Sequence, residues 1–210
     1  MKINCSCAYC TNNTYVWSIN NSVVWIEIPK NGSYNLKQFR FNFDSTQKEL
    51  QQESLIKKIN ESEIKLFKRG FVVLRNPIER FSSLLSHYFI KGGRFDNKMG
   101  PDWINSLGIA DFNNDNICDI VLDNWQHIEQ LAEPHHFNSQ SSFIPDDFFD
   151  LYYMVYHMDE LSLYFGLEAD VNSSGSSDVV ISDFNLERIK QLYADDFELY
   201  SKYFPNINNI

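Results

Sequence analysis

At 210 residues, with a formal net charge of −10 and ordinary apolar and charged fractions, the chain suits a single domain with a sizeable core and excludes wholesale disorder. No apolar run reaches the roughly 18 residues a membrane span needs, and the start, MKINCSCAYCTNN, lacks a charged-then-apolar leader pattern, so the reading is a soluble, cytoplasmic protein. The acidic total argues against nucleic-acid binding, yet the charge is segregated: residues 30–94 hold 13 of the 18 lysines and arginines against 6 acids, and residues 95–210 hold 4 bases against 21 acids.

Cys5, Cys7 and Cys10 form C-x-C-x2-C with no nearby fourth ligand, which reads as free thiols rather than a metal site. Residues 1–21 read as a peripheral N-terminal extension of the single domain, although Tyr15 to Ile19 is rich in strand formers. Ser22 to Ile28 is a second such run, and Asn20-Asn21 between the two suits a hairpin. A Pro-Lys-Asn-Gly-Ser turn follows, and Tyr34 to Phe43 has helical character. Residues 45–69 carry a rough apolar stripe at helical spacing, which Gly70 is expected to end, and Phe71 to Leu74 reads as a short buried strand.

RNPIERFSSLLSHYF, 75–89, opens with Asn76 as N-cap, Pro77 at the first helical position and Glu79 three after the cap, then places Phe81, Leu84, Leu85 and Tyr88 at helical spacing. KGGRFDNKMGPD, 91–102, reads as a loop suited to a lid. A helix is expected within 115–132, a polar loop with two adjacent histidines at 133–145, and a buried strand at 151–158. A short helix (DELSLYFG), a Ser/Asn-rich loop at 172–178 and one amphipathic helix from Leu186 to Tyr203 complete the chain.

Two strand-turn-helix units imply parallel strands whose carboxyl ends share an edge, the place where open α/β sheets bind ligands. In the first turn Gly32 lets the backbone curl round an anion, Ser33 offers a hydroxyl and Lys30 a full charge. In the second, Arg75 can grip a phosphate with two parallel bonds, and Ser83 lies two helical turns further on.

Together these motifs resemble the sulfotransferases that use 3′-phosphoadenosine 5′-phosphosulfate (PAPS). Pro29-Lys30-Asn31-Gly32-Ser33, followed by Tyr34, is similar to that family's 5′-phosphosulfate loop; Arg75-Asn76-Pro77 with Ser83 is similar to its 3′-phosphate element. The IERFSS context, HHFNSQSSFI and LYADDFELYSKY are closest to its carbohydrate-type branch. The resemblance implies a P-loop-like α/β fold with a central parallel sheet flanked by helices, PAPS as co-substrate without a metal, and a small-molecule or saccharide acceptor. It implies in-line transfer of a sulfuryl group, with Lys30 stabilising the leaving group. For the base, the choice lies between His135 and His136, the latter slightly ahead because Gln140 lies four after it, with Asp44 and Glu53 as carboxylate alternatives. A P-loop kinase-like phosphotransferase and a non-catalytic nucleotide-binding module are the competing readings.

Overall fold

The computed structural model describes residues 15–33, 36–37, 56–90, 99–131, 134–166 and 179–207. Tyr34, Asp44, Glu53, the cysteines at 5, 7 and 10, most of the expected lid and the Ser/Asn-rich loop lie outside the described residues.

One five-stranded sheet organises the domain. Its strands are β1 (Val16–Ile19), β2 (Val23–Ile26), β3 (Ile56–Lys58), β4 (Arg69–Leu74) and β5 (Tyr152–His157), in the order β3-β1-β2-β4-β5. The sheet is mixed rather than parallel, which corrects the sequence expectation. β2, β4 and β5 run parallel, while β1 is antiparallel to both β2 and β3. The Asn20-Asn21 turn explains the reversal: both residues hold positive φ (50° and 53°) and Ser22 N–H returns to Ile19 C=O at 3.0 Å. That is the left-handed hairpin turn asparagine tolerates. Residues 16–19, inside the stretch expected to be peripheral, thereby form an interior strand.

Strand periodicity sends alternate side chains to two cores. Val16, Val24, Ile26, Val72 and Leu74 pack with Phe148 and Tyr200 on one face. Trp17, Trp25, Phe71 and Val73 pack with Leu36 and Leu161 on the other. Trp17 pairs across strands with Trp25 and Trp25 with Phe71, the latter two rings within 7° of parallel.

Among the described residues the α-helices are α1 (Pro77–Leu85), α2 (Met99–Ser106), α3 (Ile117–Asp123), α4 (Leu161–Phe165), α5 (Asp183–Leu192) and α6 (Ala194–Tyr203). Asn76 caps α1 by accepting from Ile78 N–H at 2.9 Å. A π-helical turn, Ser86–Ile90, extends α1, and its Tyr88 and Phe89 join a third, helical core around Phe81, Trp103 and Val121.

Several expected elements differ. Within 45–69 the described part holds β3 and a 3-10 turn, Glu61–Leu66, rather than a helix. Gly70 lies inside β4, where a Cβ would stand 2.6 Å from the Phe148 ring; it is there for close packing and ends no helix. The end of the expected lid, from Met99, is α2. The expected C-terminal helix is two, broken at Tyr193. β5 is an edge strand with Tyr152 and Met154 exposed, not a buried one. No helix among the described residues is long and apolar enough to cross a membrane.

Candidate functional site

β2 and β4 are hydrogen-bonded in register as far as Ile26 and Val72. Past that point the ladder stops, and each strand runs into one of the two turns singled out in the sequence. The turns lie side by side, with Arg75 Nη1 3.4 Å from the Lys30 carbonyl oxygen. β5 reaches the same edge, where His157 is the register partner of Leu74.

The first turn is tightly wound. Lys30 and Gly32 both take positive φ, 69° and 75°; for a lysine that backbone costs about 1 kcal/mol or more, a cost typical of functional turns. Asn31 N–H donates to Ile28 C=O at 3.2 Å, and Leu36 N–H to Gly32 C=O at 3.0 Å, a helical i to i+4 bond. The Ser33 hydroxyl donates to Ile28 C=O at 2.9 Å, so it ties the turn together and can offer a ligand only oxygen lone pairs.

Asn31 has a structural post. It is buried, and its Nδ2 donates to Val73 C=O (2.8 Å) and Gln140 Oε1 (2.6 Å). Its carboxamide thus faces the protein, not the edge. Pro29 is also internal, its carbonyl accepting from Arg80 Nε at 3.1 Å. Lys30 and Arg75 carry the charge at this edge. Arg75 Nε faces Glu79 at 3.5 Å, so Glu79 meets this arginine instead of closing a capping box. Ser83 follows Asn76 by about two helical turns, hence on the same face of α1, and is buried there.

Two residues that sequence reasoning did not select hold the site together. Arg80 is 1 % exposed and donates to three backbone carbonyls: Pro29, Asn138 (2.9 Å) and His136 (2.9 Å). Burial lowers its pKa, opposed chiefly by Asp196. Asp196, on α6, accepts from Gln140 N–H (2.7 Å) and Ser141 N–H (2.9 Å). Burial raises its pKa, while Arg80 and those two N–H groups oppose the rise. A sequence signal existed for Arg80, since Pro77 and Leu84 flank it at helical spacing on the apolar stripe of α1 and a cation on such a stripe must find partners.

The histidine loop is drawn in by the same residues. Tyr193, Asp196 and Tyr200 share one helical face; the first donates to Phe137 C=O at 2.7 Å, and Tyr200 bonds His157 Nε2 at 2.5 Å. The described part of the expected polar loop, from Pro134 to Pro145, is therefore largely buried. His135 is 1 % exposed, and burial pushes its pKa down to about 4. His136 is only half-buried. Its pKa lies well below the ordinary value through burial first, then His135, Arg80, His87 and Lys30. Both rings are thus neutral near pH 7, the state in which a ring nitrogen can take up a proton. His136 Nδ1 is engaged by the Tyr88 hydroxyl.

Among the described residues no group of three or more histidines, cysteines and acids stands close enough to hold a metal ion. Cys118 is buried, with its thiol pKa pushed up to about 12 by burial, and is chemically quiet. A cavity of about 840 Å³ lined by Phe89, Ile90, Phe112, Asn113 and Asp115, among others, shares no lining residue with the two cationic turns.

Fold and site together define a single α/β domain with two cationic turns at the carboxyl edge of parallel strands and a histidine loop packed against them. Among known proteins, no family model, no curated protein and no solved structure matches the chain.

Proposed function

We propose that this protein is a sulfotransferase that moves a sulfuryl group from PAPS to a hydroxyl on a saccharide or similar small acceptor. The observation that carries the reading is the adjacency of the two cationic turns, Arg75 Nη1 lying 3.4 Å from the Lys30 carbonyl. A ligand with an anionic group at each end of a nucleoside needs two such turns, each with its own cation, on one sheet edge.

In this reading Arg75 holds the 3′-phosphate. Backbone amides from Gly32 onward, with the positive end of the helical turn that begins there, hold the 5′-phosphate. Lys30 neutralises the charge that grows on the bridging oxygen as the S–O bond breaks and the acceptor oxygen bonds to sulfur. His136 takes the acceptor's proton, its ring oriented by the Tyr88 hydroxyl at Nδ1. His135 is the weaker choice of the two, since its ring is enclosed. The depressed pKa of His136 supports the base role in one respect: the ring stays unprotonated through the neutral range. The Coulombic effect of Lys30 on that ring supports its lying near the leaving-group end.

The test is thermal unfolding with adenosine 3′,5′-bisphosphate in the absence of magnesium. At a hundred times its dissociation constant such a ligand adds about 2.7 kcal/mol, which for a chain of this size raises Tm by roughly 5–10 °C. A larger shift with Mg-ATP than with the bisphosphate would overturn the reading in favour of a kinase-like phosphotransferase. Transfer of radiolabelled sulfate from PAPS to an acceptor panel then separates an enzyme from a binding module.

A further inference from the structure

Where the β2–β4 ladder ends, something else must fix how far apart the two turns stand, because neither is tied to the other by sheet hydrogen bonds beyond Ile26 and Val72. The Gln140 side chain occupies that gap. Its Oε1 accepts from Asn31 Nδ2 at 2.6 Å and from Arg75 N–H at 3.0 Å, and its Nε2 donates to Arg75 C=O at 2.9 Å. Asn31 Nδ2 closes the ring by donating to Val73 C=O at 2.8 Å.

The brace is itself anchored from a third element. Gln140 N–H and Ser141 N–H both donate to the Asp196 carboxylate on α6. The residue is 1 % exposed, so it acts on a ligand only through the turns it joins. Arg80 Nε also ties α1 to the Pro29 carbonyl at the start of the first turn, and a direct contact between the turns, Arg75 Nη1 to the Lys30 carbonyl, is long and uses the guanidinium a phosphate would claim.

We propose that Gln140 is a positioning residue that sets the spacing of the two anion subsites, and so makes the site select a nucleoside phosphorylated at both ends over one phosphorylated at a single end. This rests on the sulfotransferase reading above. Two contacts to one rigid ligand reinforce each other only when their spacing matches it. The second contact then forms at high effective concentration, and a slack spacing forfeits that gain without weakening either contact alone.

The experiment is calorimetric titration of the full chain with adenosine 3′,5′-bisphosphate, adenosine 5′-monophosphate and adenosine 3′-monophosphate. Wild type is expected to bind the bisphosphate about 100-fold tighter than either monophosphate. Gln140→Met is close in size and removes all three side-chain bonds. It should lower that ratio about tenfold while each monophosphate affinity stays within about threefold. Gln140→Asn keeps an amide but is one methylene too short to reach both turns, and the same fall is expected of it; it supplies the measurement if the methionine variant does not fold. General destabilisation lowers all three affinities together and leaves the ratio alone. A folded variant of either kind with the wild-type ratio overturns the positioning role while leaving the sulfotransferase reading intact. Wild type that binds none of the three nucleotides overturns both.

Discussion

Acidification should weaken this fold through His135. The ring is 1 % exposed and sits among aromatic neighbours, 5.9 Å from Tyr15 and 4.3 Å from His136 between ring centroids. Burial holds its pKa at about 4, against an ordinary 6.5. The unfolded chain therefore takes up a proton at this position below pH 6.5 while the folded chain refuses it. Stability from this residue is complete above 6.5 and declines as pH falls toward 4. The full difference is worth up to about 3 kcal/mol, and about 2 kcal/mol of it is lost between pH 7 and pH 5. Asp196 works in the opposite sense. Burial raises its pKa above 3.8, so protonating it favours the fold and its contribution is lost as pH rises. The comparison that isolates His135 is wild type against His135→Gln, which keeps a hydrogen-bonding group but does not titrate. Urea unfolding followed by tryptophan fluorescence at pH 7 and pH 5 should show the wild-type midpoint falling by roughly 1 M more than that of the variant. Equal losses in the two proteins would mean that the native ring titrates as in water and is not enclosed.

Arg80→Met strips donors from three carbonyls and leaves Asp196 without its cation. A loss of about 3–5 kcal/mol at pH 7 is expected, shrinking in acid as Asp196 protonates, and denaturant titration at both pH values reads it. Gly32→Ala places a Cβ 2.5 Å from Leu161 Cδ1 and an alanine at φ 75°. It should cost about 1–3 kcal/mol, of which Gly32→Ala with Leu161→Ala relieves the clash and not the backbone strain. On the sulfotransferase reading, Lys30→Ala should lower kcat about 100-fold with little change in donor affinity. Arg75→Ala should weaken adenosine 3′,5′-bisphosphate binding by about tenfold or more. The acidic limb of the rate profile should lie below pH 6.5, since His136 titrates well below its ordinary value; a limb at 6.5 that persists in His136→Gln removes it as the base.

Local chemistry was legible where a residue's own backbone preference decides the outcome. Asn20-Asn21 gave the hairpin, Asn76-Pro77 the start of α1, and Phe71 to Leu74 a buried strand, because each is fixed by turn geometry, capping or burial on both strand faces. β3 was not legible. Ile56 and Ile59 fit a helical stripe, and only the open edge of β1, pairing Ser18 with Lys57, makes this stretch extended. The break at Tyr193 carries no glycine or proline; there the buried hydroxyl is held to Phe137 C=O. In the candidate site the two turns named from the sequence stand side by side, and the side chains of their inner members are engaged by the protein. Asn31 and Ser33 are hydrogen-bonding groups in a motif resembling a ligand loop, yet both spend their donors on the protein. The side chains of Gln140 and Asp196 have roles defined by partners 55 or more residues away.

Part of the positive charge in residues 30–94 is held by partners within the protein. Arg80 is consumed internally by three carbonyls. Lys37 binds the Glu27 carboxylate at 2.5 Å, and both Lys37 and Lys58 lie over the Trp17 ring on the opposite face of the sheet from Val16 and Val72. Formal charge therefore overstates the cationic surface of this half. What counts for an anion is which cations stand together at one sheet edge, and Lys30 and Arg75 stand in adjacent turns at the ends of adjacent parallel strands. Two cationic turns joined by a 3.4 Å contact from Arg75 Nη1 to the Lys30 backbone carbonyl, with a buried amide fixing the turns behind them, make a stronger case for a two-ended anion than a net charge of either sign across some sixty residues.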